Sequence, residues 1–446
     1  MLNYFRTSLI AGGLCITAVL CSPLAAKELP RHAVWGAKFS LNTSAGVTVT
    51  SVEPNMALFK AGLRMGDVVL KVNDQAIGGP VSWSKITASL IAGRQYKLVV
   101  RRSLEELVFS VELPPVQKER YDHLETTYTS IINDYGIRQQ VIITKPKQMK
   151  EGEKRPALYI LTGLSCSSVE LTRPPGRSHN WGRTLRALVE DTGMVVLRVE
   201  KPGLGDSEGD CGSTDFKTEL NGYEVAYKML KSLPYVDENN VVVFGSSMGS
   251  AIAPYLANKY GAAGVISDGT FYRSWFEHML EIERRIKRMQ GKNDTEITTL
   301  MTQAYIPLYY GMLIEKKSYG DVINKTPSLA QYNYHGPDHM YGRPVQYYHQ
   351  VQDFDFAGNW QNLKIPVRLR WGTNDWIMSE YDNDLIVSTL KRAGNTDVIL
   401  EKYPGLDHWS TVHKSEEDSF NGRPGQWEEA IAGGLVAWAR ELAGLK

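Results

Sequence analysis

From residue 121 onward, short apolar runs alternate with longer segments whose apolar residues recur at helical spacing. The runs predict strands at Gln140–Thr144, Ala157–Thr162, Met194–Glu200, Asn240–Phe244, Gly264–Ser267, Val367–Trp371 and Val398–Tyr403. Helical spacing falls between most of them, at Trp181–Asp191, Thr218–Ser232, Ser247–Tyr260, Glu380–Ala393 and Trp427–Leu445. Such alternation implies an α/β fold with a mostly parallel sheet and helices on both faces. Residues 268 to about 365 interrupt the pattern between two strands. Trp275, Met279, Ile282 and Ile286 keep helical spacing there, and a tyrosine-dense stretch follows (Tyr305, Tyr309, Tyr310, Tyr332, Tyr334, Tyr341, Tyr347, Tyr348). This insertion is expected to form a helical cap with an aromatic pocket, although internal packing explains any single tyrosine better.

The chain before residue 114 has a different texture. Val47, Val49 and Val52 alternate as in a strand, Pro54-Asn55 turns, and a short helix ends at Gly62. A tight turn at Arg64–Asp67 leads into the strand VVLKV. A helix over Ser82–Ala92 and strands over Tyr96–Arg101 and Glu106–Leu113 complete a small β-rich unit, residues 31–113. Residues 114–120, rich in proline and then charge, read as a linker to the larger domain, 121–446. A chain of 446 residues is too long for one ordinary core, which agrees with two domains.

Composition adds limits. Hydrophobic residues make up 43% and charged residues 22%, a globular balance. The formal net charge is +1 and no long Lys/Arg block exists, so nucleic acid is not expected as a partner. Residues 1–26 carry one early cation, Arg6, then an apolar run from Leu9 to Leu20 ending in small residues. That run is shorter than the roughly 20 residues a bilayer span needs. It is expected to be a secretory signal peptide, with a short membrane anchor as the alternative. Leu20 before Cys21 argues against a lipoprotein signal. No other stretch is apolar enough to span a membrane, and export to the periplasm is the expectation. Cleavage would remove Cys15 and Cys21 and leave Cys166 and Cys211 in loops after adjacent strands. A disulfide between them is expected, with two buried thiols as the alternative.

The run AGLRMGDVVLKVND resembles the signature of bacterial PDZ domains. The resemblance implies peptide binding by strand addition, with the terminal carboxylate held at a loop matching Val34–Ala37. Gly36 would supply the turn, and Trp35 and Ala37 would face the ligand. The alternative is a domain that only packs against its neighbour.

In the larger domain the strand VVVF runs into Gly245-Ser246-Ser247-Met248-Gly249 and then a helix. G-x-S-x-G in a strand–turn–helix context resembles the α/β-hydrolase family. The resemblance implies Ser247 as nucleophile, then an acid and a histidine in that chain order. Asp375, after the strand VRLRW, and His408, after VILEKY, occupy those positions. Asp268 is a rival acid and His413 a rival base, while Asp407 is expected to be a surface residue. Oxyanion donors would be the N–H groups of Met248 and Leu164, with Ser165 next in line. The loop VEKPGLGDSEGDCG resembles the family's glycine-rich packing loop and would bring Cys211 near Cys166. The expected activity is serine-hydrolase cleavage of an ester, with a peptidase as runner-up because the PDZ-like unit could present chain termini. The expected substrate is thus a small-molecule ester or a peptide. A non-catalytic peptide-binding scaffold is the alternative from another class. No metal cluster, phosphate loop or nicotinamide fingerprint is evident, so no cofactor or metal is expected.

Overall fold

The structure, a computed structural model, describes residues 27–41, 46–173 and 178–445. The expected signal peptide, with Cys15 and Cys21, lies outside the described residues.

The N-terminal unit is an antiparallel sheet of β1 (Ala37–Leu41), β2 (Val47–Val52), β3 (Val68–Val72), β4 (Gln75–Ala76), β5 (Gln95–Arg102) and β6 (Glu105–Glu112). The order is β1-β2-β3-β5-β6, with β4 paired to β3. Two helices, α1 (Ala57–Lys60) and α2 (Pro80–Ala88), complete it. Val47, Val49, Val69, Leu98 and Val100 form its core, as the alternation along the strands requires. Strand β1 has no counterpart in the sequence reading. It is a short edge strand with an irregular register between Lys38 and Phe39, so its alternation is poor. Helix α2 ends earlier than expected, and the Ile91 backbone instead exchanges hydrogen bonds with the Tyr96 hydroxyl.

The larger domain is built on β7 (Leu124–Ile132), β8 (Arg138–Pro146), β9 (Arg155–Leu161), β10 (Val195–Val199), β11 (Val236–Ser246) and β12 (Gly264–Asp268). After the two-residue strands β13 (His339–Met340) and β14 (Arg343–Pro344) in the insertion come β15 (Val367–Gly372) and β16 (Val398–Tyr403). The sheet order is β7-β8-β10-β9-β11-β12-β15-β16. Only the pairings of β8 are antiparallel; the other neighbours run parallel. Numbered within the domain this is 1-2-4-3-5-6-7-8 with the second strand reversed, the α/β-hydrolase arrangement.

Central strands are buried on both faces, which explains their continuous apolar sequences. Tyr159, Leu161 and Val243 enter one core, while Leu158, Ile160 and Phe244 enter the other. Helices α3 (Asn180–Glu190), α4 (Phe216–Ser232) and α5 (Met248–Tyr260) cover them. Asp215 caps α4 by accepting from the Thr218 N–H. Between β12 and β15 the insertion opens with α6 (Trp275–Met289), whose N-terminus carries a capping box of Ser274 and Glu277. The insertion's buried residues are continuous with the sheet core. Tyr305, Tyr309, Tyr347 and Tyr348 are buried within it.

The segment 114–120 is tied down rather than free. The Val34 and Val116 N–H groups donate to the Pro114 and His32 carbonyls. Glu119 is buried against Arg198 on β10, with both guanidinium contacts at 2.8 Å. Breaking a buried pair of this kind by removing one partner costs about 3–5 kcal/mol. Arg31 reaches across the junction to Asp206 at 2.6 Å and to Glu170 at 2.8 Å. The composition that suggested a linker instead supplies charges that join the two units.

Candidate active site

Every side chain of the site stands in a loop at the C-terminal end of a sheet strand, or at the helix start that follows. Ser247 lies between β11 and α5 with φ +55°, a backbone conformation rare for a residue with a Cβ. The sharp turn is permitted because its flanks are bare. A Cβ on Gly245 would collide with the backbone of Gly249 and Ser250, and one on Gly249 would sit 2.6 Å from the Leu161 carbonyl oxygen. The Ser247 backbone N–H donates to the Asp268 carbonyl at 3.0 Å, which locks the turn to the next strand.

Ser247 Oγ is 3.0 Å from His408 Nε2, and His408 Nδ1 is 2.9 Å from Asp375 Oδ2. The other oxygen of Asp375 accepts from the Ile377 and Met378 N–H groups, both at 2.9 Å. Asp375 is thereby held in one orientation. Gly269 follows β12 at φ +61°, and a Cβ there would lie 3.2 Å from His408 Nδ1 and 3.3 Å from Asp375 Oδ2. Glycine lets that turn approach the pair. Burial pulls the His408 pKa down, but the charge and hydrogen bond of Asp375 outweigh it, aided by Asp268 and Asp407, so the net direction is up.

The rivals have other partners. Asp268 forms a two-pronged pair with Arg370 on β15, at 2.8 and 2.9 Å. His413 Nε2 lies 3.2 Å from Asp407. Asp407 corrects the sequence reading: it is 6% exposed rather than a surface residue. Its carboxylate accepts from the Trp409 and Thr411 N–H groups and from Ser419 Oγ, at 2.8–3.0 Å. It therefore shapes the loop that carries His408.

The loop after β9 rests on Ser247: a Cβ on Gly163 would come within 2.9 Å of the serine Cβ. Leu164, Ser165 and Met248 line the same cavity as Ser247 and His408. Lys201, which sequence reasoning missed, holds this loop from below. The side chain is 1% exposed, and its Nζ donates to the carbonyls of Gly163 and Ser165, the latter at 2.9 Å, with Glu219 at 3.7 Å. Burial lowers the Lys201 pKa to about 8, with Glu219 opposing the shift. In the sequence it is one of three charged residues at the end of β10, with Arg198 and Glu200, and nothing in the spacing sets it apart. Nearby, Cys166 and Cys211 are joined in a disulfide with Cα atoms 5.9 Å apart, and Arg343 packs beside it.

The cavity at Ser247 measures about 570 Å³ and is walled by aromatic residues of the cap and flanking loops, among them Trp275, Tyr334, Trp376 and Trp409. A second, larger cavity of about 1070 Å³ shares Gly163, Ser165, Trp181 and Trp409 with it and reaches His32 and Val116 at the N-terminal unit. Within that unit, Gly36 turns at φ +63° against Met56. The Trp35 ring, half-buried, stacks on Trp83 of α2 at 5.2 Å and meets Phe39 of β1 edge-on at 5.4 Å. The same aromatic group bridges β1 and α2. Ala37 begins β1.

Residues 33–113 match the PDZ domain family. The chain joins a PDZ domain to an α/β-hydrolase fold. Among curated proteins it is similar to Esterase EstD of Thermotoga maritima, 21% identical over 253 residues, which are 57% of this chain and 54% of the esterase. It is also similar to human whirlin, 28% identical over 198 residues, which are 42% of this chain and 20% of whirlin. The chain thus spans about half the length of the esterase and a fifth of whirlin. Among solved structures, a Pyrococcus furiosus esterase aligns with 14% identity and a TM-score of 0.41, covering 74% of this chain and 96% of that one. The fold assignment itself rests on the strand order above.

Among the described residues, no helix is long and apolar enough to cross a membrane, and no group of His, Cys, Asp and Glu is placed to hold a metal ion. If Lys201 fixes the loop, Lys201→Met should raise amide hydrogen exchange across residues 163–166 by about tenfold or more without unfolding the protein. Exchange in that loop unchanged from the parent would show that the loop is held by other contacts.

Proposed function

We propose that this protein is a serine hydrolase that cleaves a carboxylic ester or related acyl bond through an acyl-enzyme intermediate. The observation that carries the reading is the continuous chain from Ser247 Oγ through both nitrogens of His408 to a carboxylate fixed by two backbone donors. A serine hydroxyl needs a base to become nucleophilic. In this mechanism Ser247 Oγ attacks the carbonyl carbon as its proton passes to His408 Nε2. Asp375 holds the imidazole with Nδ1–H toward itself and stabilises the imidazolium. The Met248 and Leu164 N–H groups receive the negative charge that develops on the carbonyl oxygen. His408 then returns the proton to the leaving group. Water, deprotonated by the same imidazole, releases the acid and restores Ser247.

We also propose that the chain is exported to the periplasm. The apolar leader at residues 1–26 and a disulfide near the site both suit an oxidising compartment. The PDZ domain suggests a peptide-binding capacity, and the proposed site is the edge of β1, which among the described residues pairs only with β2.

Ser247→Ala should abolish labelling by a fluorophosphonate and cut ester turnover by roughly a million-fold, as in other enzymes of this mechanism. Labelling that persists on the variant would place the nucleophile elsewhere. In the parent protein, kcat/KM should climb with pH through an apparent pKa above the ordinary histidine value of 6.5, because only the neutral imidazole accepts the serine proton and Asp375 favours the charged form. A flat profile between pH 5 and 9 would contradict a histidine base.

Peptides with a free C-terminal carboxylate should bind the full-length protein and lose binding on amidation, and Gly36→Val should weaken them because the turn requires positive φ. Equal binding of acid and amide peptides would remove the carboxylate loop from the account.

A further inference from the structure

The cavity at Ser247 is mostly apolar, yet four side chains that line it have buried polar atoms without partners: His278, Glu283 and the indole N–H groups of Trp275 and Trp376. His278 and Glu283 come from α6. His278, Ile282 and Ile286 face the cavity at four-residue spacing, and Glu283 joins them on the adjoining row. His278 is 1% exposed, its ring stacks on Phe271 at 4.6 Å, and neither ring nitrogen has a hydrogen-bond partner. Glu283 is fully buried. Its Oε1 accepts from the Tyr309 hydroxyl at 2.7 Å and the Tyr334 hydroxyl at 2.9 Å, whereas Oε2 lacks a partner in hydrogen-bond geometry, although the Tyr305 hydroxyl also acts on the carboxyl. Buried polar atoms are rarely left in this state, and a few convergent polar groups in an apolar cavity are how small-molecule sites fix a ligand's orientation.

The charges around these atoms narrow the chemistry of a ligand. The Arg285 guanidinium, which donates to the Ile377 carbonyl at 2.6 Å, acts on His278, and the Lys287 ammonium acts on Glu283. These two cations oppose a cationic ligand, and the burial that pushes the Glu283 pKa up and the His278 pKa down also disfavours an ionised ligand group beside them. A neutral group that can donate and accept fits this setting. The free oxygen of Glu283 can take a hydrogen bond, and neutral imidazole offers one donor and one acceptor.

We propose that the cap cavity recognises a substrate moiety that is apolar along its length but carries a neutral hydroxyl group, read by Glu283 or His278. The proposal rests on the hydrolase reading of Ser247 and adds a substrate class to it. His278 and Glu283 stand five residues apart on α6, about 7–8 Å along the axis at 1.5 Å per residue. The position of the hydroxyl on the chain therefore decides which of the two it meets.

The test uses the full-length protein and p-nitrophenyl esters of medium-chain acids, unsubstituted or bearing one hydroxyl at successive carbons. A second series carries the hydroxyl on the alcohol side, which distinguishes acyl from leaving-group occupancy of the cavity. At least one hydroxylated ester should exceed its unsubstituted parent in kcat/KM by about tenfold or more, since a buried acceptor left unpaired penalises the plain chain. Glu283→Leu or His278→Phe should collapse that ratio. Fluorophosphonate labelling of Ser247 together with no hydroxylated ester preferred in either series would overturn the proposal while leaving the hydrolase reading intact. No labelling and no ester cleavage would overturn both. The wild-type comparison decides the question even where a variant does not fold.

Discussion

The turn at Ser247 constrains everything built around it. Holding a side chain at φ +55° between a buried strand and a buried helix is unfavourable unless the surroundings leave no alternative. Those surroundings are visible in the glycines. Gly245 and Gly249 allow strand, turn and helix to close on one another, and Gly163 lets the neighbouring loop lie against the serine Cβ. The turn is also pinned through its own N–H to the end of β12. From that fixed point the loops after β15 and β16 deliver Asp375 and His408, so the sheet's register sets the distances on which the proposed chemistry depends.

Fold and site were legible in the sequence to different depths for physical reasons. Strands such as β9 and β11 are covered on both faces, and the apolar runs Ala157–Leu161 and Val241–Phe244 within them declare them. The edge strands β1 and β7 do not: β1 is short and irregular in register, and β7 mixes Thr and Ser among its apolar residues. Ser247, Asp375 and His408 were readable because each follows a recognisable strand. Asp407 and Lys201 were not: Asp407 folds its carboxylate back onto N–H groups of its own loop, and Lys201 holds carbonyls of the distant loop after β9, neither of which sequence spacing reveals. The stacking of Trp35 on Trp83, far along the chain, shows the same limit, since no local pattern announces that pair.

The two domains meet where the site opens. Arg31 pairs with Glu170 and Asp206, from loops following β9 and β10, and the His32 N–H donates to Asp206 at 2.8 Å. Glu119 anchors the connecting segment on Arg198. These charged contacts set His32 and Val116 into the wall of the larger cavity, next to Gly163, Trp181 and Trp409, which also line the cavity at Ser247. A peptide held by the PDZ domain would thus be carried on a body attached near the active-site loops. In the proposed function this geometry links recognition and cleavage without requiring a flexible tether.

The central claim is that Ser247 becomes covalently acylated. The direct measurement is peptide mapping by mass spectrometry of protein quenched with acid during turnover of an activated ester. The account predicts an acyl mass increment on the peptide containing Ser247 and none on that peptide in Ser247→Ala. An increment on any other residue with kinetic competence, or ester turnover that persists in Ser247→Ala, would contradict it.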